Sequence, residues 1–197
     1  MASSEPTVAQ PASFVPFLRS IGEGNQYQIH QSPTELSTEA DLTVLGTIRS
    51  VGDGRVFGHG ATRDDEPVNL NLTYAVHVDR VLAGDASLVR DGFVYVELPR
   101  SKYQTIEAAD RALPVNQRVV LFLGDYSEDM GWPLTAPSPV VPEGAPTLAP
   151  YTEGFLVEDQ TSKSLIGGLE SLDQLPSAWS EHDGSLAQFV SANFVVK

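Results

Sequence analysis

Between residues 69 and 79 the chain alternates with a period of two. Leu70, Leu72, Tyr74, Val76 and Val78 fall between Asn69, Asn71, Thr73, Ala75, His77 and Asp79. Successive side chains of a strand point to opposite faces, so this spacing predicts a β-strand with one buried and one wet face. The strand reaches Leu82 and stops at the turn signal Ala83-Gly84-Asp85. Residues 41–51 (DLTVLGTIRSV) predict an earlier strand, with Leu42, Val44 and Ile48 on one side and Thr43, Thr47 and Arg49 on the other. Gly46 interrupts that run and marks a bulge or tight bend. A third strand covers 92–98 (GFVYVEL) and ends at Pro99. The fourth, 118–123 (RVVLFL), is apolar on both faces and belongs at the centre of the core. Residues 154–158 (GFLVE) supply a fifth strand, and 164–169 a sixth.

Helical signals flank these strands. Ser32 is a capping residue, Pro33 fits a first turn and Glu35 follows the cap by three, which predicts a helix of about two turns ending near Ala40. Residues 101–113 read as a short helix or irregular crossover, with Ile106, Ala109 and Leu113 on its apolar side. Leu186, Phe189 and Val190 stand at helical spacing in a terminal helix over 184–193 that packs on the body. The Gly- and Asp-rich stretch 52–67 is expected to be a flexible connection. Six prolines between 133 and 150 exclude an interior strand there and predict an extended surface loop of polyproline character.

The elements describe a mainly β chain: a small Greek-key barrel of five to six strands, a short helix before the first strand and a C-terminal helix. A β-sandwich is the alternative that strand spacing does not separate. The 197 residues suit one domain, 32–197. Residues 1–31 form a lead-in. It is punctuated by Pro6, Pro11 and Pro16, with an apolar cluster of Phe14, Val15, Phe17, Leu18 and Ile21 expected to dock on the body. Residues 1–16 have neither basic flank nor apolar run and are not a signal peptide as they stand. Their composition is of the kind that follows a removed signal or lipid anchor.

Charge narrows the partners. With 26 acidic against 12 basic side chains the net charge is −14, which repels phosphate backbones and anionic lipid. Nucleic acid is therefore not an expected partner, nor is membrane insertion, since no stretch approaches a transmembrane helix. The absence of cysteine removes disulfides, thiolate metal sites and a thiol nucleophile together, without deciding the compartment.

Candidate chemistry is sparse. His30, His59, His77 and His182 show no ligand spacing, and all four are expected to be solvated or at edges. Ser185, in Asp183-Gly184-Ser185, reads as a helix start rather than a nucleophile. No phosphate-cradling glycine motif stands between a strand and a helix. The acidic runs Asp64-Asp65-Glu66, Glu128-Asp129 and Glu158-Asp159 could gather calcium, although consecutive acids are more often a solvated loop. No catalytic residue, metal ligand or cofactor is expected. The expected contact surface is the proline-rich loop, with Pro139 and Pro142 between Trp132 and Tyr151. The competing use of both aromatics is to pin that loop to the core.

The order ADLTVLGTIRSV, YAVHVDRVLAGD, VYVELPR, NQRVVLFLGDY and GFLVED, over residues 41–159, resembles a group of uncharacterised secreted or lipid-anchored bacterial proteins common in actinobacteria. Their core is similar to the OB-type barrel of the netrin-like domain and the tissue inhibitors of metalloproteinases. The resemblance implies that fold and an extracellular or cell-surface setting, with the cytoplasm as alternative. It implies no chemistry, because those inhibitors act through an N-terminal cysteine and this chain has none. The expected function is a non-enzymatic extracellular or cell-surface module binding a protein or glycan. The alternatives are an accessory subunit of a cell-surface assembly, or a carboxylate-based hydrolase with or without calcium.

Overall fold

A computed structural model describes residues 29–58, 68–113, 115–125, 133–159, 165–167, 175–180 and 185–194. The chain first forms helix α1 (Pro33–Glu39), where the Ser32 hydroxyl accepts the Glu35 N–H at 3.1 Å and Pro33 occupies the first turn. Then come β1 (Leu42–Gly58) and β2 (Val68–Gly84), a 3₁₀ turn (Ala86–Leu88), β3 (Phe93–Arg100), α2 (Ile106–Ala112) and β4 (Arg118–Asp125). The remainder supplies β5 (Leu134–Ala136), β6 (Thr147–Glu158), β7 (Leu165–Gly167), α3 (Ser177–Ser180) and α4 (Leu186–Asn193).

Five strands follow one another in a ring, β1–β2–β3–β6–β4 and back to β1. Every step is antiparallel except β3–β6, which is parallel and joined at Tyr95↔Thr147 and Val96↔Leu148. The long β1 makes the ring possible by bending. Its register against β2 slips at four places, one of them at Leu45/Gly46, where the sequence predicts a bulge. A Cβ at Gly46 would lie 2.6 Å from the His77 carbonyl oxygen, so only glycine allows β2 this close. The first half of β1 thereby pairs with β4, and its far end pairs with β5.

Two apolar cores share β4. Its inward residues Val119, Leu121 and Leu123 join Leu72, Tyr74, Val76, Val96 and Phe155 inside the ring, against Ala109 and Leu113 at α2. Its outward residues Val120 and Phe122 join Leu36, Trp179, Leu186, Phe189 and Phe194 beneath α1, α3 and α4. That is why this strand is apolar on both faces. Among the described residues no helix is long and apolar enough to cross a membrane.

Three expectations are corrected. Asn71 and Thr73, read as solvent-facing, are fully buried, because other parts of the chain cover that side of β2. The proline-rich stretch contains β5 and the start of β6, with Pro150 paired to Leu123 beside a register shift, where a missing ladder N–H is tolerated. Residues 52–58 of the expected flexible connection belong to β1, and residues 59–67 lie outside the described part.

Candidate functional site

Glu97 stands in the middle of β3 with Val96 and Leu98 as neighbours, and its carboxylate is buried. It lies directly opposite Thr73 in the β2–β3 ladder. Opposite Asn71, β1 slips register between Asp53 and Val56, and this bulge turns Arg55 onto the carboxylate. Arg55 donates its main-chain N–H to Oε1 at 2.6 Å and its Nε–H to Oε2 at 2.8 Å. Thr73 donates to Oε1 and Asn71 to Oε2, each at 3.4 Å. Four donors thus occupy a group that accepts through about four lone-pair sites. Held this way, Glu97 organises the cluster.

The lid over this face is the proline-rich segment. The Ser138 hydroxyl donates to the Asp53 carbonyl at 2.8 Å, lies 3.2 Å from the Thr73 hydroxyl, and accepts the Val140 N–H at 3.2 Å. Thr135 donates to the Val56 carbonyl at 3.0 Å, and the Gly58 N–H donates to the Pro133 carbonyl at 3.0 Å. The Asp53 carboxylate is taken by Arg100, 2.7 Å away. Residues 133–140 are therefore laid along the second half of β1, while Pro139, Pro142 and Leu134 remain exposed. Asn71 Oδ1 is buried with no hydrogen-bond partner among the described residues.

Of the expected contact residues, Pro139 and Pro142 lie with this strapped segment. Tyr151 belongs to β6 and another neighbourhood: its hydroxyl donates to the Glu39 carbonyl at 3.4 Å, and its ring meets His30 edge-on at 5.8 Å. Tyr151 pins an element to the body. Trp132 lies outside the described residues, as do His59, His182, Asp64, Asp65, Glu66, Glu128 and Asp129.

His30, expected to be solvated or at an edge, is buried between two carboxylates at the start of α1. No local spacing could reveal this, since Glu153 is 123 positions away. His77 is on the outer side of β2, with Nδ1 3.3 Å from Asp79 Oδ1. Thr47 donates its hydroxyl to Asp79 Oδ2 at 3.0 Å, so that hydroxyl is bonded to the acid rather than the ring. Phe93 meets His77 edge-on at 5.4 Å. Of the last acidic pair, Glu158 ends β6 as a buried residue, and its carboxylate is 3.5 Å from Arg118. Among the described residues no three His, Asp or Glu side chains gather as a metal-ligand group.

The Glu97 cluster has a sequence signal, one acid inside the otherwise apolar run VYVEL, facing a β1 stretch where Gly52 and Gly54 flank Asp53. A Cβ at Gly54 would sit 2.7 Å from Asn71 Cβ and 2.9 Å from Glu97 Oε1. Glycine here permits the close approach that buries the acid. No family model matches the chain, and no curated protein or solved structure is significantly similar to it.

Proposed function

We propose that the five-strand ring is an OB-like barrel, and that the chain is a non-enzymatic binding module of the extracellular space or cell surface whose partner is a protein or glycan. Barrels of this type bind ligands on one strand face and its adjoining loops. Here that use is supported in an altered form by one observation. The β2–β3 face around Thr73 and Glu97 is closed by the chain's own Ser138 segment, which presents Pro139, Pro142 and the 54 % exposed Leu134 outward. Proline fixes φ, so such a segment loses little conformational freedom on binding. An exposed leucine among prolines favours a protein partner over a glycan. The net charge of −14 favours a neutral or basic surface.

Crosslinking the native protein in its source cells, followed by affinity measurement on the recovered partner, tests this reading beside a glycan array. The variant Leu134→Ser/Pro139→Ala/Pro142→Ala should lose at least about tenfold in affinity, on the order of 1.4 kcal/mol, at unchanged melting temperature. Equal binding by variant and wild type overturns the surface. Turnover of a glycoside or ester that disappears when one carboxylate is neutralised overturns the non-enzymatic reading.

A further inference from the structure

The residue that leads into α1 is held on several sides at once. His30 Nδ1 lies 2.5 Å from Glu153 Oε1 on β6, and Nε2 lies 3.0 Å from Glu39 Oε2 at the end of α1. Its main-chain N–H donates to the same Glu153 oxygen at 3.0 Å, and its carbonyl accepts the Trp179 Nε1–H of α3 at 2.9 Å. An ionised carboxylate only accepts hydrogen bonds, and a neutral imidazole carries one N–H. With a carboxylate at each ring nitrogen, only the imidazolium can donate to both.

We propose that His30 is a protonation-dependent clasp. As imidazolium it fastens the C-terminal end of α1 to β6, and its deprotonation breaks the Glu39 bond and loosens that end of the helix. The two sides of the clasp differ. The Glu153 side chain is 1 % exposed and keeps the main-chain N–H of His30, so the remaining ring proton stays at Nδ1. The Glu39 side chain is 55 % exposed and can return to water, so its bond is the one lost. A bare Nε2 would otherwise face a carboxylate oxygen, lone pair against lone pair.

The ionisable groups facing this site are acids and a phenol. From α1 these are Glu39 and, one turn earlier, Glu35, which accepts the Gln31 N–H at 2.6 Å. From β6 they are Glu153 and Tyr151, and α3 contributes the Trp179 indole N–H. Burial works to lower the His30 pKa, but the hydrogen bonds and charges of Glu39 and Glu153 outweigh it and hold it above 6.5. Tyr151 stays neutral, raised first by burial and then by the charges of Asp41, Glu39 and Glu153. The raised native pKa makes the clasp fully stabilising below the unfolded value. Its contribution fades as pH rises through the native value.

Glu39→Gln isolates the effect, because its amide can donate to the bare Nε2 and hold a neutral ring. His30 ring titration by NMR should give a midpoint above about 6.5 in wild type and a lower one in the variant. Between about pH 6 and about pH 9, wild type should lose a few degrees of melting temperature relative to Glu39→Gln, with faster normalised amide exchange at residues 36–40. A wild-type midpoint at or below about 6.5 overturns the imidazolium. A melting-temperature difference that stays flat with pH overturns the clasp, whatever the midpoint.

Discussion

Replacing Glu97 by alanine removes the acceptor around which the covered strand face is organised. The guanidinium of Arg55, only 14 % exposed, loses its counter-charge, and its main-chain N–H, the Thr73 hydroxyl and the Asn71 amide lose this acceptor. Breaking a buried ion pair from one side costs about 3–5 kcal/mol. The two 3.4 Å bonds are long and add little, and Arg55 has some access to water, so the lower end, about 3 kcal/mol, is expected. For a domain of this size that is a fall in melting temperature of roughly 6–12 °C. Arg55→Met should cost a comparable amount, because it strips the counter-charge from a carboxylate that is 0 % exposed while leaving it the residue-55 main-chain N–H and the two long bonds. Urea unfolding at neutral pH of wild type, both single variants and the double variant measures the coupling. The double variant should be less destabilised than the sum of the singles by about 1–3 kcal/mol. A loss below about 1 kcal/mol for Glu97→Ala, or additive singles, would mean that water reaches the carboxylate and the face is open. The contact surface proposed on the outer side of the proline segment would then fail with it.

Three further outcomes test other parts of the fold. Gly54→Ala should destabilise by about 2 kcal/mol, since its Cβ would press on Asn71 main chain at 2.8 Å, and thermal unfolding reads the loss. Phe122→Ala should cost about 3–5 kcal/mol in chemical denaturation, because the ring fills the space between β4 and the helices, against Trp179 at 5.8 Å and Phe194 at 6.1 Å. Ser185→Ala removes the capping box at the start of α4 and should cost about 1 kcal/mol, with faster amide exchange confined to that helix.

What the sequence foretold and what it hid divide along one physical line. Period-two alternation says which residues share a face, so Leu72, Tyr74 and Val76 were legible as ring core from spacing alone. Both faces of β4 were legible for the same reason, as were the Ser32 cap and the slip at Gly46. Alternation does not say what lies over the second face. That depends on a hydroxyl 65 positions from Thr73, just as the burial of His30 depends on a carboxylate 123 positions away, and no local window contains either contact. The polar residues themselves still hold part of the answer. A wet strand face has no need of an acid at its centre held by an arginine, nor of glycines in the neighbouring strand that bring main chain within van der Waals distance of it. Burying a carboxylate demands a partner and donors, and bringing them requires a bulge without side-chain bulk. Glu97 between Val96 and Leu98, with Gly52, Gly54 and Arg55 on β1, is that requirement written in residue types. At Asn71 and Thr73 the polar stripe of β2 is therefore the inner lining of a covered face, and the contact surface proposed for a partner lies one layer further out, at Leu134, Pro139 and Pro142.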